Sequence, residues 1–164
     1  MADEIRTERL VLRRARLDDA PAMHAIMSDA KAMRFWSSLP HATLAETERW
    51  MESMIEVDAR ESDDFIVTLE GVVIGKLGAW KLPEFGFLLD RAQWHKGYAG
   101  EALAAFIAHR RACGAAELKA DVDPRNLASL RLLQRHGFVE TGRTSGTWRI
   151  GDELCDSIDL RLAL

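Results

Sequence analysis

Hydrophobic positions repeat along this chain with two different periods, and each change of period marks a boundary between elements. Leu10-Val11-Leu12-Arg13-Arg14-Ala15 is the first run of strand formers, and Asp18 or Asp19 after it offers an N-cap for a helix carrying Met23, Ile26 and Met27. Pro21 falls in the first turn, where its missing N–H would have no partner anyway. Thr43-Leu44-Ala45-Glu46 matches a capping box, and Leu44, Thr47, Trp50, Met51, Met54 and Ile55 follow at helical spacing, which predicts a second helix. Between the two, Phe35-Trp36-Ser37-Ser38-Leu39-Pro40-His41 is aromatic, polar and bounded by proline, so it reads as a loop.

After Asp63-Asp64 the period shortens. Phe65 to Leu69 and Val72 to Trp80 flank the turn Glu70-Gly71 as a hairpin, Pro83 interrupts, and Glu84-Phe85-Gly86-Phe87-Leu88-Leu89 resumes as a strand. A helix over Leu103 to Ala112 ends at Cys113-Gly114, with Gly114 as its C-cap. Glu117 to Val122 is a further strand, and Asp123-Pro124 opens a helix carrying Leu127, Leu130, Leu133 and Gln134 that Gly137 closes. Phe138 to Arg149 and Leu154 to Leu162 flank the turn Ile150-Gly151-Asp152 as a final strand pair. The order is strand, two helices, a meander, helix, strand, helix and strand pair. It predicts a mixed α/β sheet rather than a regular doubly wound one.

Length and charge narrow the picture. A chain of 164 residues fits one domain over positions 1–164, since two halves would each bury little apolar surface. A hydrophobic share of 48% with 29% charged residues argues against disorder. The formal net charge of −4 gives no reason to expect nucleic acid, and its weak field suits a cationic substrate. Cys113 and Cys155 form neither a disulfide framework nor a metal-ligand spacing, so no metal is expected. Met1 to Arg6 has no apolar stretch behind its charges and no later run approaches membrane-spanning length, which makes the cytoplasm the expected location.

The chemistry concentrates in Gln93-Trp94-His95-Lys96-Gly97-Tyr98-Ala99-Gly100-Glu101-Ala102, where two glycines and an alanine bring bare backbone to a helix start. Free amide hydrogens there favour phosphate oxygens by roughly 0.3–1 kcal/mol per exposed contact. Alone, the turn is as often a plain helix entry as a ligand site. Asp121 stands where a dinucleotide fold would place its ribose-binding acid, but the third glycine of G-x-G-x-x-G is missing and no second mononucleotide half follows. A Walker loop fails because no Gly-Lys-Ser/Thr closes it.

Taken together, Gly86-Phe87-Leu88-Leu89-Asp90, the run from Trp94 to Leu103, Asn126-Leu127-Ala128-Ser129 and Gly137-Phe138 resemble the GNAT superfamily of acetyl-CoA-dependent N-acetyltransferases. Thr7-Glu8-Arg9-Leu10-Val11-Leu12-Arg13, the Asn-x-x-Ser helix and Gly151-Asp152-Glu153 with Asp156 resemble its ribosomal-protein N-terminal (Rim-type) branch. The resemblance implies the acyl-CoA N-acyltransferase fold, a mostly antiparallel central sheet of about seven strands flanked by about four helices. It also implies acetyl-CoA as co-substrate and a small-molecule or peptide amine as acceptor, with a homodimer left open.

By the same resemblance the coenzyme pyrophosphate rests on the amides from His95 to Gly100, with Lys96 adding charge, and Trp94 stands where the superfamily carries glutamine or arginine. Pantetheine hydrogen-bonds along Phe87, Leu88 and Leu89 like an added strand, and an amide near Leu89 faces the thioester carbonyl. Asn126 and Ser129 lie one helical turn apart and contact the cofactor; their plain alternative is a helix cap and a packing residue. Many superfamily members protonate the leaving thiolate with a tyrosine on this helix. Here that place holds Leu133 and the only tyrosine is Tyr98, so Ser129 is the candidate that donates a hydrogen bond to sulfur. Glu84 is the candidate general base, with a solvated strand-end carboxylate as its plain alternative, and His41 and Glu153 stand behind it. Trp36 and His41 are candidate acceptor contacts, beside Trp80 and Trp148. Neither cysteine lies in a motif, which implies direct transfer without a covalent enzyme intermediate. The rival readings are a non-catalytic acyl-CoA-binding module and a dinucleotide-binding protein.

Overall fold

The computed structural model describes residues 3–164. Its elements in chain order are β1 (Glu4–Arg6), β2 (Leu10–Arg13), α1 (Ala20–Met27), α2 (Leu44–Glu56), β3 (Asp63–Leu69), β4 (Val72–Lys81), β5 (Glu84–Leu89), α3 (Tyr98–Ala112), β6 (Glu117–Val122), α4 (Leu127–Arg135), β7 (Val139–Ile150) and β8 (Glu153–Ala163). The strands form one 8-stranded sheet in the order β1-β2-β3-β4-β5-β6-β8-β7. Every neighbouring pair is antiparallel except β5 and β6.

Alternation along the strands sends side chains to both faces, and each face has its own core. Phe65, Val67, Leu77, Leu89, Leu118, Leu160 and Leu162 join Leu103, Phe106 and Ile107 of α3 and Leu132 and Leu133 of α4 in one cluster. Ile66 and Leu88, one residue out of phase, pack against Met23, Ile26 and Met27 of α1 and Met51 of α2 in the other. Fully burying each such side chain contributes about 1.5–3 kcal/mol, so both helix pairs are held by the period-2 pattern of the sheet beneath them.

Four boundaries differ from expectation. The sheet has an extra strand, β1, which is only three residues long and mostly charged; it exists because Glu4, Ile5 and Arg6 pair with Arg13, Leu12 and Val11. Asp19 is the N-cap residue of α1 but makes no side-chain cap, because its carboxylate is held by Arg13 at 2.6 and 2.8 Å and by the Arg16 amide at 2.8 Å. Helix α3 starts at Tyr98, five residues before the apolar run at Leu103, since the glycine turn is itself the helix entry. Asp123-Pro124 is a turn rather than the start of α4, and Asn126 caps the helix with its side chain. The capping box at Thr43 forms as read, with the Glu46 amide donating to Thr43 and the Glu46 carboxylate accepting from the backbone.

The pairing around β5 positions everything that follows. It runs against β4 from Gly75↔Leu89 to Gly78↔Gly86 and, past an irregularity, at Lys81↔Glu84; a Cβ on Gly75 would stand 2.1 Å from the Leu88 carbonyl oxygen, so only glycine permits that approach. On its other side β5 meets β6 at a single pair, Glu84↔Lys119, and then parts from it. No helix among the described residues is long and apolar enough to cross a membrane.

Candidate active site

A cleft of about 1230 Å³ opens where β5 and β6 part, and Glu84, Phe87, Asn126, Ser129 and Leu133 all line it. The direction of the β5 amides follows from one bond: Asp90 N–H donates to the Ile74 carbonyl of β4 at 2.8 Å. Amide direction alternates along a strand, so the N–H groups of Phe87 and Leu89 turn the other way, into the gap where β6 offers no ladder partner. Their side chains diverge. Phe87 is half-buried at the cleft, while Leu88 and Leu89 are buried in the two separate cores.

Beyond β5 the glycine turn presents backbone. His95 and Gly97 both adopt left-handed conformations, with φ of 61° and 85°. The first intrahelical bond of α3 runs from Glu101 N–H to the Gly97 carbonyl at 3.1 Å, so the amides of Tyr98, Ala99 and Gly100 have no acceptor within the helix. The Trp94 indole donates to the Leu89 carbonyl at 3.0 Å, which ties the turn back to the end of β5. Lys96 Nζ lies 3.2 Å from Gln93 Oε1. The turn is not among the residues lining the cleft; it lies past the end of β5, braced from α4 by His136, whose Nε2 is 3.2 Å from the Gly100 carbonyl and whose Nδ1 is 2.8 Å from the Leu132 carbonyl.

Asn126 both caps and lines. Its Oδ1 accepts from the Ser129 amide at 3.2 Å, and the two side chains share the cleft-facing start of α4. Leu133 is fully buried in the core below them, and Tyr98 lies under the Arg9 guanidinium at 4.5 Å from its ring centre. Glu84 is exposed at the mouth of the cleft.

The opposite wall is built from distant segments. Trp36 covers β5 at Gly86, where an added Cβ would stand 3.9 Å from its ring, and the buried ion pair Lys76–Asp64 at 2.6 Å lies close by, with Nζ 5.7 Å from the Trp36 ring centre. Arg34 from the α1–α2 connection and Arg125 from the β6–α4 connection both hold Glu153 at the start of β8, at 3.1 and 2.5 Å. Hydrogen bonds from Arg125 and Arg34 keep the Glu153 carboxyl below the usual glutamate range. Trp148 donates to Asp121 at 2.6 Å.

His41 stands apart from this wall. It is not among the cleft's lining residues; its Nδ1 is 2.9 Å from Thr47 Oγ1, which is equally close to His24 Nδ1, and its ring meets Trp50 edge-on. Burial lowers its proton affinity. Three contacts that spacing along the chain does not reveal lie around the site: Arg9 with Glu101 at the turn, His136 beneath Gly100, and Arg125 across from Glu153. Among the described residues, no group of three or more His, Cys, Asp or Glu gathers around a metal-sized point.

Residues 9–139 match a family model described as an acetyltransferase (GNAT) domain. An uncharacterized N-acetyltransferase, p20, of Bacillus licheniformis is 25% identical over 146 residues, covering 83% of this chain and 82% of that protein. Among solved structures, the acetyl transferase from Salmonella typhimurium that modifies the N-terminal serine of ribosomal protein L7/L12 superposes with a TM-score of 0.87 at 18% identity, over 96% of each chain. The spermidine N-acetyltransferase from Vibrio cholerae, solved with CoA and spermine, does so with a TM-score of 0.81 at 19% identity, again over 96% of each chain.

Proposed function

Because the chain belongs to the GNAT acetyltransferase family, we propose that it transfers an acetyl group from acetyl-CoA to a primary amine held in the cleft between β5 and β6. The observation that carries this reading is the parting of β5 from β6 after one pair, which leaves the Phe87 and Leu89 amides unladdered beside Asn126 and Ser129. The residues present fit such a cofactor: an extended chain can take up strand-like bonds along β5, and three unpaired amides at the start of α3 suit phosphate oxygens.

When bound, acetyl-CoA supplies an activated acyl group as a thioester. The amides of Tyr98, Ala99 and Gly100 hold its phosphates, and the N–H groups of Phe87 and Leu89 orient its extended arm. One of these strand amides would also face the thioester oxygen, a fixed donor that stabilises developing negative charge there. Ser129 Oγ donates a hydrogen bond to the departing sulfur; a hydroxyl is a weak acid, so its part is orientation and charge stabilisation. Glu84 receives the proton of the attacking nitrogen, directly or through water. An α-amine, with pKa about 7.7–8.0, needs far less help than a lysine near 10.4, so a solvated carboxylate is sufficient for a peptide N-terminus. Holding both reactants in one cleft supplies several kcal/mol of the barrier.

The acceptor is a primary amine of a peptide N-terminus or of a small molecule. The test is release of free thiol from acetyl-CoA in the presence of a panel of peptides and polyamines. Release that depends on one class of amine is expected. Binding of acetyl-CoA without release for any amine would contradict the reading and leave an acyl-CoA-binding module.

A further inference from the structure

The β1–β2 connection reaches the glycine turn through one side chain. Arg9 Nε and Nη2 both lie 2.7 Å from Glu101 Oε2, its backbone N–H donates to Glu101 Oε1 at 2.9 Å, and Thr7 Oγ1 donates to that same oxygen at 2.5 Å. The remaining arm of the guanidinium, Nη1, donates to the Lys96 carbonyl at 3.1 Å, and the whole group lies over the Tyr98 ring. Gly97 makes room for it, since a Cβ there would stand 3.3 Å from Arg9 Nη2. Hence Arg9 contacts or abuts residues 96, 97, 98 and 101, in and around the turn that carries the free amides.

Two consequences follow from elementary chemistry. The Lys96 carbonyl and the Gly97 N–H belong to one planar trans peptide and point in opposite directions. Pinning that carbonyl to Arg9 therefore aims the Gly97 N–H away from Arg9, on the other side of the peptide, and adds it to the donors at the start of α3. The second consequence is electrostatic. Glu101 places a carboxylate in the first turn of α3, where it would repel an incoming phosphate, and a guanidinium with two nitrogens on one of its oxygens cancels it within hydrogen-bond distance.

We propose that Arg9 is a positioning residue for the phosphate end of the cofactor: it sets the orientation of the 96–97 peptide and neutralises Glu101 without needing to touch the ligand. This rests on the acetyl-CoA reading above. It separates Arg9 from a general structural brace, because its effect is confined to the phosphate half of the ligand and leaves the pantetheine half alone.

The experiment compares CoA, by titration calorimetry, with pantetheine, by ligand-observed NMR, on the wild type and on Arg9→Gln and Arg9→Lys. Arg9→Gln is expected to weaken CoA about tenfold and leave pantetheine within about twofold. Arg9→Lys, which keeps the charge and loses the fork, is expected to weaken CoA about threefold; should the glutamine variant not fold, this comparison alone carries the test. Equal weakening of both ligands, or CoA affinity unchanged in a folded variant, would overturn the role of Arg9 while leaving the cofactor reading intact. A wild type that binds no CoA would overturn the cofactor reading itself.

Discussion

The two ends of the active-site region are built from different material. At the proposed phosphate end, the donors are consecutive backbone amides at the start of α3, shaped by Gly97 in a left-handed conformation. At the proposed acceptor end, the wall is made of side chains from the α1–α2 connection, β4, β5, the β6–α4 connection and the β7–β8 hairpin, joined by Arg34, Arg125 and Glu153. A backbone-built site depends on local conformation and tolerates varied side chains, as Trp94 illustrates by turning its indole onto the Leu89 carbonyl. A wall built from side chains depends on which residues five segments happen to carry. The proposed phosphate end is therefore set by local backbone conformation and the proposed acceptor end by side chains brought together from distant segments.

The largest expected effect comes from attacking the backbone. Gly97→Val forces a β-branched residue into φ of 85° and sets a Cβ against Arg9, and CoA affinity measured by calorimetry should fall about 100-fold. Retained affinity would mean that the turn is not the phosphate site. Ser129→Ala should lower turnover about tenfold while leaving acetyl-CoA affinity within about twofold, since the hydroxyl acts only as sulfur departs; an unchanged turnover removes Ser129 from the mechanism. On the opposite wall, Trp36→Ala should raise the KM for the preferred amine about fivefold and spare that for acetyl-CoA. A rise in both would erase the distinction between the two ends.

The smallest effect is expected at the clasp that Arg34 and Arg125 form on Glu153. Glu153 has a lowered pKa, so its ion pairs are complete above the ordinary glutamate value of about 4.3 and are lost only as pH falls through the lower folded value. Glu153→Gln should therefore raise the amine KM about twofold, by the same factor at pH 6 and pH 8. A factor that changes between those pH values would show that another group governs the clasp.

Legibility in the sequence follows the same division. The meander, the capping box at Thr43 and the glycine turn are local, and each could be read from a few consecutive residues. What escaped reading depends on partners far away in the chain. Glu4–Arg6 becomes a strand only by pairing with β2, Asp19 leaves its cap for Arg13, and Arg9 finds Glu101 across 92 positions. Arg9 and Glu101 both lay inside short motifs that drew attention, but spacing along the chain carries no sign that they meet. The aromatic, proline-bounded loop that suggests ligand contact brings Trp36 to the cleft, while His41 lies outside the cleft lining with its Nδ1 hydrogen-bonded to Thr47.

The central claim is that one ligand runs from the gap beside β5 to the start of α3, held by backbone amides at both places. Residue-resolved amide chemical shifts during a CoA titration test it most directly. The expected result is a set of large, saturable shifts at Phe87, Leu89, Tyr98, Ala99 and Gly100, with the β7–β8 hairpin little changed. Shifts confined to other residues, or none at saturating CoA, would contradict the account.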